Sequence, residues 1–432
     1  MKNENAATKP VVPAPHPPAE SATGRLRSPL GFIAAPPPRP APAAPATMRR
    51  RFLDAGARFV TFASRPHSLY QAAALRIGFG FFFAFYLLCE WPNRRVLFGD
   101  LNPWALDMAR TLGSDTHSFT VLTWSGDRWW FELVYHGAIA AAVLLMLGWR
   151  TRATSVLFLV GVLSVENRSP FVGDAGDDII RLMAIYLVFT RCGHMWSLDA
   201  RRRRMHARQS RRDHAGLMMW LAMGPMLLWA SVLHPDSWTP VFWAMWAAQG
   251  VYFAAERWFP RDTRALLDSS SAMLHNCAML VIAVQVCFIY CSAGLYKSQG
   301  STWQSGSAVY YAMQIDLFRP WPWLSDIIAT HMLLIFGLCY ATVIMQISFP
   351  FTLGYRRVKN VLLPLMMLEH AGIAVILGIP FLSMAMMVSD AVFLPTAFLI
   401  WTSNRLTRPA GWLKRRTKAK HARLQPTAAM AP

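Results

Sequence analysis

Charged side chains are scarce in this chain. They make up 15% of its 432 residues, well under the roughly 25% of soluble globular proteins, which excludes water as the main solvent. Cysteine is sparse and unpatterned: Cys89, Cys192, Cys277, Cys287, Cys291 and Cys339 show no Cys-x-x-Cys spacing, so neither a zinc site nor a disulfide framework is expected. Cys287 and Cys291 share a helix face, where small apolar packing accounts for them. No long apolar run precedes residue 69, so no signal peptide is expected, and no internal repeat is visible. Two isolated histidines, His136 and His275, do not make a metal site, and no metal is expected; hydrogen bonding between helices is the reading for both.

What the chain has in abundance is apolar surface, with 54% hydrophobic residues including 18 Trp and 26 Phe. Its net charge of +20 would suit nucleic acid or an acidic surface if it lay on a folded face. Instead residues 1–66, 192–214 and 401–432 carry +7, +5 and +8, and the rest of the chain is balanced. The basicity thus flanks apolar segments, as the positive-inside rule requires, and no nucleic-acid partner is expected. Residues 1–48 hold twelve of the 29 prolines, a composition that buries no core and favours extended chain. The domain reading is a disordered, Pro/Ala-rich, basic cytoplasmic tail over 1–66, a membrane domain over 67–403 and a basic cytoplasmic tail over 404–432.

Apolar stretches near the roughly 20 residues needed to cross a bilayer recur at 70–91, 131–149, 153–166, 179–195, 215–233, 240–255, 273–295, 327–349, 359–379 and 381–400. The fold expected is all-α, a polytopic transmembrane bundle of about ten spans, or eight if the short third and sixth are both absent. With the N-terminus inside, Arg150/Arg152, Arg201 to Arg212, Arg257/Arg261/Arg264, Arg356/Arg357/Lys359 and the C-terminal cluster all fall on the cytoplasmic side. The protein is accordingly expected in the cell inner membrane, with the lipid bilayer as its first partner.

Ionisable residues within spans are costly and mark function more often than in soluble cores. Arg76 lies in the first span, Glu132 and His136 lie four apart in the second, and Glu166, Asn167 and Arg168 end the third. Glu369 and His370 are mid-span in the ninth. The topology puts Glu132, His136, Glu166, Arg168, Asp177, Asp178, Arg181 and Lys297 near the outer face, where they are expected to converge on one outward-opening polar pocket. A plainer reading stands beside this one. Glu132 and Arg181 serve equally as interfacial caps or ion pairs, the aspartates as a solvated loop, and Lys297 as a snorkelling anchor.

The stretch Tyr290-Cys-Ser-Ala-Gly-Leu-Tyr-Lys297 with Trp303 and Gly306, together with Asn167-Arg168-Ser169 and Trp196-Ser-Leu-Asp199, resembles the HTTM (horizontally transferred transmembrane) domain of vitamin K-dependent gamma-glutamyl carboxylases and their bacterial relatives. The likeness runs from about residue 68 to 402. It implies that Lys297 is a base that deprotonates a quinol, with Tyr290, Tyr296 and Trp303 around it. In the carboxylases oxygen then adds, and the resulting alkoxide removes a proton from the gamma carbon of a substrate glutamate, which captures carbon dioxide. Such a lysine must be a neutral amine when it acts. His370, in Leu-Glu-His-Ala-Gly, resembles a second carboxylase histidine. Two departures follow from the same comparison. Arg168 stands where the carboxylases carry a histidine, and it exchanges no proton near neutral pH. The large lumenal region that docks their protein substrate has no counterpart after residue 402, so gamma-glutamyl carboxylation itself is not expected. The catalytic candidates are therefore Lys297, His370 and Arg168, and the candidate cofactor is a lipoquinone acting with an apolar or peptide substrate. The alternative is a non-catalytic membrane factor for maturation, export or lipid binding. A transporter is the third reading, against which stands the lack of broken-helix pairs in matching halves.

Overall fold

The computed structural model describes residues 48–209 and 214–405, and among them there is no strand. The Pro/Ala-rich stretch 1–47, residues 210–213 of the central Arg-rich connection and the basic segment 406–432 lie outside the described residues. Met1–Asp54 is a separate unit, of which only the first turns of one helix are described; the second unit begins at Ala55.

The helices, leaving short turns unlabelled, are α1 (Met48–Ala63), α2 (Leu69–Cys89), α3 (Arg128–Leu147), α4 (Thr151–Arg168), α5 (Ala175–Val188), α6 (Leu198–Gln209) and α7 (His214–Leu233). There follow α8 (Thr239–Trp258), α9 (Arg261–Gln299), α10 (Met332–Thr352), α11 (Arg356–Ile376) and α12 (Pro380–Ser389), then α13 (Thr396–Arg405). Met48–Ala63, which the sequence reading assigns to the N-terminal tail, is thus helical. Six helices, α2, α3, α7, α9, α10 and α11, are long and apolar enough to cross a bilayer. They coincide with six of the ten apolar segments. The segment at 381–400 is a pair, Pro380–Phe393 and Thr396–Arg405, bent by 109°. The remaining three are helical but not of that class. α5 has 14 residues, about 21 Å at ~1.5 Å per residue against a hydrocarbon core of roughly 30 Å. α4 carries Arg152, Glu166 and Arg168, and α8 breaks its apolar run with Gln249, Glu256 and Arg257.

α9 is longer than the sequence suggests. The apolar run covers 273–295, yet the helix is continuous over 39 residues, because Pro260 fixes its start and nothing between Arg261 and Ala272 breaks a helix. Arg261 and Arg264, expected in a connecting loop, sit on its first turns. Pro225, Pro350 and Pro364 lie inside α7, α10 and α11, as is tolerated where neighbouring helices take up the freed carbonyls.

α2 is the centre of the bundle. In its apolar stretch 61% of residues are buried, against 11% in α7. Leu75, Phe79, Phe82, Phe83 and Leu87 pack against Tyr135, Ala142 and Leu145 of α3, Phe158, Leu159 and Val162 of α4, and Ile180 and Met183 of α5. A Cβ on Gly80 would stand 2.8 Å from the Ala142 carbonyl oxygen, so glycine sets the α2–α3 approach. α9 and α10 form the second tight pair, with α11 and α12 closing the bundle.

A polar knot secures one end. Arg76 of α2 is fully buried, and its guanidinium donates to the carbonyls of Leu145 (2.5 Å), Met146 (2.5 Å), Cys192 (3.2 Å) and Trp196 (2.8 Å). It therefore caps the last turn of α3, where carbonyls lack helical partners, and ties down the turn after α5. Asp199 completes the knot by accepting from the Arg150 and Thr151 amides at 2.9 and 2.7 Å and from the Thr151 hydroxyl at 2.9 Å, which caps α4. The Trp196-Ser-Leu-Asp199 motif is the strap between these anchors.

Replacing Arg76 with Leu leaves four buried carbonyls without their donor, and hydrogen bonds to charged groups contribute about 1.5–3 kcal/mol each. We expect Arg76→Leu to lower the thermal unfolding midpoint in detergent sharply, with Arg76→Lys intermediate because one ammonium cannot span all four acceptors. Equal midpoints for wild type and Arg76→Leu would show that the knot is dispensable.

Candidate functional site

The second polar cluster lies where α9, α10, α11 and the short turn after α12 meet. Tyr290, Gly294 and Lys297 follow one another at helical spacing along one face of α9. A Cβ on Gly294 would fall 2.7 Å from the Ile347 side chain and 3.0 Å from its backbone nitrogen, so the glycine of the Tyr-x-x-x-Gly-x-x-Lys motif is what lets α10 lie against α9. That approach brings Gln346 to Lys297. The Lys297 ammonium donates to Gln346 Oε1 at 3.0 Å, and Gln346 Nε2 donates to Glu369 Oε1 at 2.7 Å. A lysine, an amide and a carboxylate thus form one chain across three helices. Lys297 Nζ also lies 5.6 Å from the centroid of the Trp303 ring, within range of a cation–π attraction.

About two turns back along α9, the Tyr290 hydroxyl donates to Asp390 Oδ2 at 2.9 Å. Tyr290 and Asp390 are both essentially without exposure, and His370 is 5% exposed. The His370 ring lies 5.9 Å from that of Tyr290. Both of its nitrogens, and Asp390 Oδ1, are buried with no hydrogen-bond partner. Glu369 Oε2 is likewise buried without a partner; an unpaired buried polar atom costs about 1–3 kcal/mol, and four in one cluster are a feature that folding alone does not account for. These are the atoms available to a ligand or to a proton in transit.

The other expected site residues do not join this cluster. Arg168 is buried and donates to the carbonyls of Trp104 (3.1 Å) and Gly99 (3.3 Å), and Asn167 donates to the Phe119 carbonyl at 2.9 Å; both pin the connection between α2 and α3 onto α4. Arg168 therefore shares no ligand position with Lys297. Glu132 is held bidentately by Arg94, at 3.0 and 2.8 Å. His136 accepts from the Trp91 indole at 3.1 Å, and its Nδ1 lies 2.8 Å from the Glu132 carbonyl oxygen. That network is complete, as a structural brace requires. Asp174 and Asp177 form a capping box at the start of α5, and Arg181 pairs with the exposed Asp178. Tyr296 is 81% exposed. Among the described residues these side chains thus form groups of their own, with no hydrogen bond or ion pair to the Lys297 group, whose unpaired buried atoms lie on α11 and on the short turn after α12. Glu166 Oε1 is unpaired as well, above the capping box. His275 is buried between the Arg191 amide (3.1 Å) and the His67 carbonyl (2.7 Å), the helix-joining role its sequence context suggested.

Gln346 and Asp390 were not singled out by the sequence. A signal existed, since each interrupts an apolar run of a candidate span, but nothing in the linear order places them beside Tyr290 and Lys297. Among the described residues no group of three or more His, Cys, Asp or Glu side chains is gathered so as to hold a metal ion. Compared with protein-family models, curated proteins and solved structures, the chain matches none.

The unpaired ring of His370 predicts an unusual mutational response. His370→Phe removes two unsatisfied nitrogens at little cost in volume, and its unfolding midpoint should equal or exceed that of wild type. Tyr290→Phe strips Asp390 of its donor and should cost about 1–3 kcal/mol. A His370→Phe protein markedly less stable than wild type would mean that the ring has a partner after all. A second test concerns Asp177, in the first turn of α5, a helix too short to span the bilayer. Burial, opposed by the Asp174 amide hydrogen bond, pushes its carboxyl up to about 6. A carboxyl raised in the folded state favours the folded protein when protonated, and that contribution is lost as pH rises from the unfolded carboxylate range through the folded value. Asp177→Asn keeps the capping acceptor, so it should melt above wild type near about pH 8 and coincide with it near about pH 4.

Proposed function

We propose that this chain is a multi-pass membrane enzyme of the HTTM class, in which the Lys297 cluster performs acid–base chemistry on a lipid-soluble ligand. The fold reading behind it has eight to ten spans, both termini and the Arg-rich connection at 201–212 on the cytoplasmic side of the inner membrane, and residues 67–403 as the membrane domain. The observation that carries the proposal is the set of unpaired buried atoms, His370 Nδ1 and Nε2 and Asp390 Oδ1, gathered between apolar helices with Lys297 hydrogen-bonded to Gln346.

In this reading a reduced lipoquinone enters between helices, as an apolar ligand reaches a site from the bilayer. A quinol held here would supply an acidic hydroxyl, and Lys297, as the free amine, would be the group to accept its proton, becoming an ammonium as its N–H bond forms. Gln346 holds the ammonium on one side, and Glu369 beyond it supplies the compensating charge. His370, with an open nitrogen, is placed to accept or return a second proton, and Asp390 orients Tyr290 beside it. Molecular oxygen would be the oxidant, with two electrons and two protons passing from the quinol to give the quinone and hydrogen peroxide. Arg168 has no role in this step, because its donors are committed to Gly99 and Trp104.

The test is turnover in proteoliposomes supplied with reduced lipoquinone and oxygen, with quinol oxidation followed optically and oxygenated products by mass spectrometry. Lys297→Ala should fall to roughly a hundredth of wild type, within the range for loss of a general base, and Lys297→Arg should fail equally because arginine is always charged. Equal turnover in wild type and Lys297→Ala would remove the enzymatic reading and leave that of a non-catalytic lipid-binding factor.

A further inference from the structure

The opposite end of the bundle carries a second feature, independent of the Lys297 cluster. α9 is one continuous helix, and His275, which contacts the His67 carbonyl near the start of α2, is some 33 Å from Lys297 along it at ~1.5 Å per residue. At this far end lies a half-open cleft of about 420 Å³ lined by Tyr70, Trp196, Arg201, Arg204, Met205 and Ser403 among others. That volume is within the usual range of small-ligand sites.

Its walls are built. Trp196 adopts a left-handed backbone, φ 47°, a conformation that costs a non-glycine residue energy and is held here by the Arg76 bond to its carbonyl. The constraint presents the indole to the cleft, edge-on to Tyr70 at 5.4 Å between centroids, with its N–H bonded to Ser403 Oγ at 3.0 Å. On the other wall Ser197, Arg201 and Arg204 follow at helical spacing along α6. Ser197 is used in capping, since its hydroxyl donates to the Gly193 carbonyl and accepts from the Ala200 amide. Arg201 and Arg204 are exposed. No carboxylate among the described residues pairs with either, whereas neighbouring Arg202 pairs with Asp199 at 3.0 Å and Arg203 donates to the Gly193 carbonyl. Two guanidinium groups are therefore left facing a cleft whose other walls are aromatic.

The place of the cleft says what kind of anion it meets. Tyr70 is the second residue of α2, a helix able to span a bilayer, and Ser403 lies near the end of α13, where Trp401 and Arg405 stack at 5.4 Å. Aromatic and basic residues at the ends of apolar helices mark the headgroup layer. Arginine forks match phosphate oxygens, and Tyr and Trp suit the boundary between headgroup and acyl chain.

We propose that this cleft binds the phosphodiester headgroup of an anionic phospholipid, with Arg201 and Arg204 on the phosphate, Tyr70 and Trp196 against the glycerol and first methylenes, and Arg76 positioning Trp196 from behind. The ligand chemistry is shared with free phosphate esters, and the test separates the two. The full-length protein is purified in detergent and titrated with phosphatidylglycerol or phosphatidylcholine, and the bound lipid is counted by native mass spectrometry. Wild type should retain phosphatidylglycerol at roughly tenfold lower concentration than phosphatidylcholine, a preference expected of basic interfacial sites. Arg201→Gln/Arg204→Gln should lose that preference, each single variant should lose part of it, and Arg201→Lys/Arg204→Lys should keep part. Unfolding midpoints in lipid-free detergent should not change, because among the described residues neither side chain has a carboxylate partner. An undiminished preference in the double Gln variant overturns the site. Displacement of bound phosphatidylglycerol by glycerol 1-phosphate or inorganic phosphate at equal concentration overturns the lipid assignment in favour of a soluble ester.

Discussion

Polar groups inside an apolar bundle have no water to fall back on, so each must find a partner within the protein, and Arg76 is where this constraint binds most tightly. One side chain, without exposure, satisfies four carbonyls from the end of α3 and from the turn after α5. A guanidinium suits the task because its five N–H donors lie in a fixed fork. The end of α3, the start of α4 and the entry to α6 all depend on this one residue and on Asp199 beside it. The strained Trp196 backbone is a consequence of the same bond, and the cleft around Trp196 exists because the strain is held.

The contrast between satisfied and unsatisfied networks separates structure from function. Glu132, Arg94, His136 and Trp91 close on one another, as do Asp174 and Asp177 in their capping box and Arg168 with Gly99 and Trp104. Such groups repay their burial and explain themselves. His370 and Asp390 do not, for their open atoms impose a standing cost in the most apolar part of the molecule. Stability given up at a particular place is the usual mark of a site kept for binding or catalysis. The glycine at 294 belongs to the same economy, since it forgoes a side chain so that Gln346 can stand between Lys297 and Glu369.

α9 links the two ends. At one it supports His275, Asn276 and the start of α2; at the other it carries Tyr290 and Lys297. It is continuous over 39 residues, about 58 Å at ~1.5 Å per residue, and reaches from the His67 carbonyl, three residues before Tyr70, to the lysine cluster.

The sequence by itself determined the helical class, the apolar character and six of the helices able to span a bilayer, because scarcity of charge and runs of about 20 apolar residues are local properties that a chain displays before it folds. It also pointed to Lys297, Tyr290 and His370, since a polar side chain in an apolar run stands out wherever it goes. Partnership was not legible. Arg168 looked like a companion of Lys297 and braces the connection between α2 and α3; Gln346 and Asp390 drew no notice and are the hydrogen-bond partners of Lys297 and Tyr290. The length of α9 was hidden because its first turns are polar; the bend after α12 falls at Leu394-Pro395, where a proline offered a local signal that a count of apolar residues passes over. Only the tertiary structure decided which polar atoms meet and which remain open, for those outcomes depend on helices far apart in the chain packing at distances that a glycine here and a guanidinium there allow.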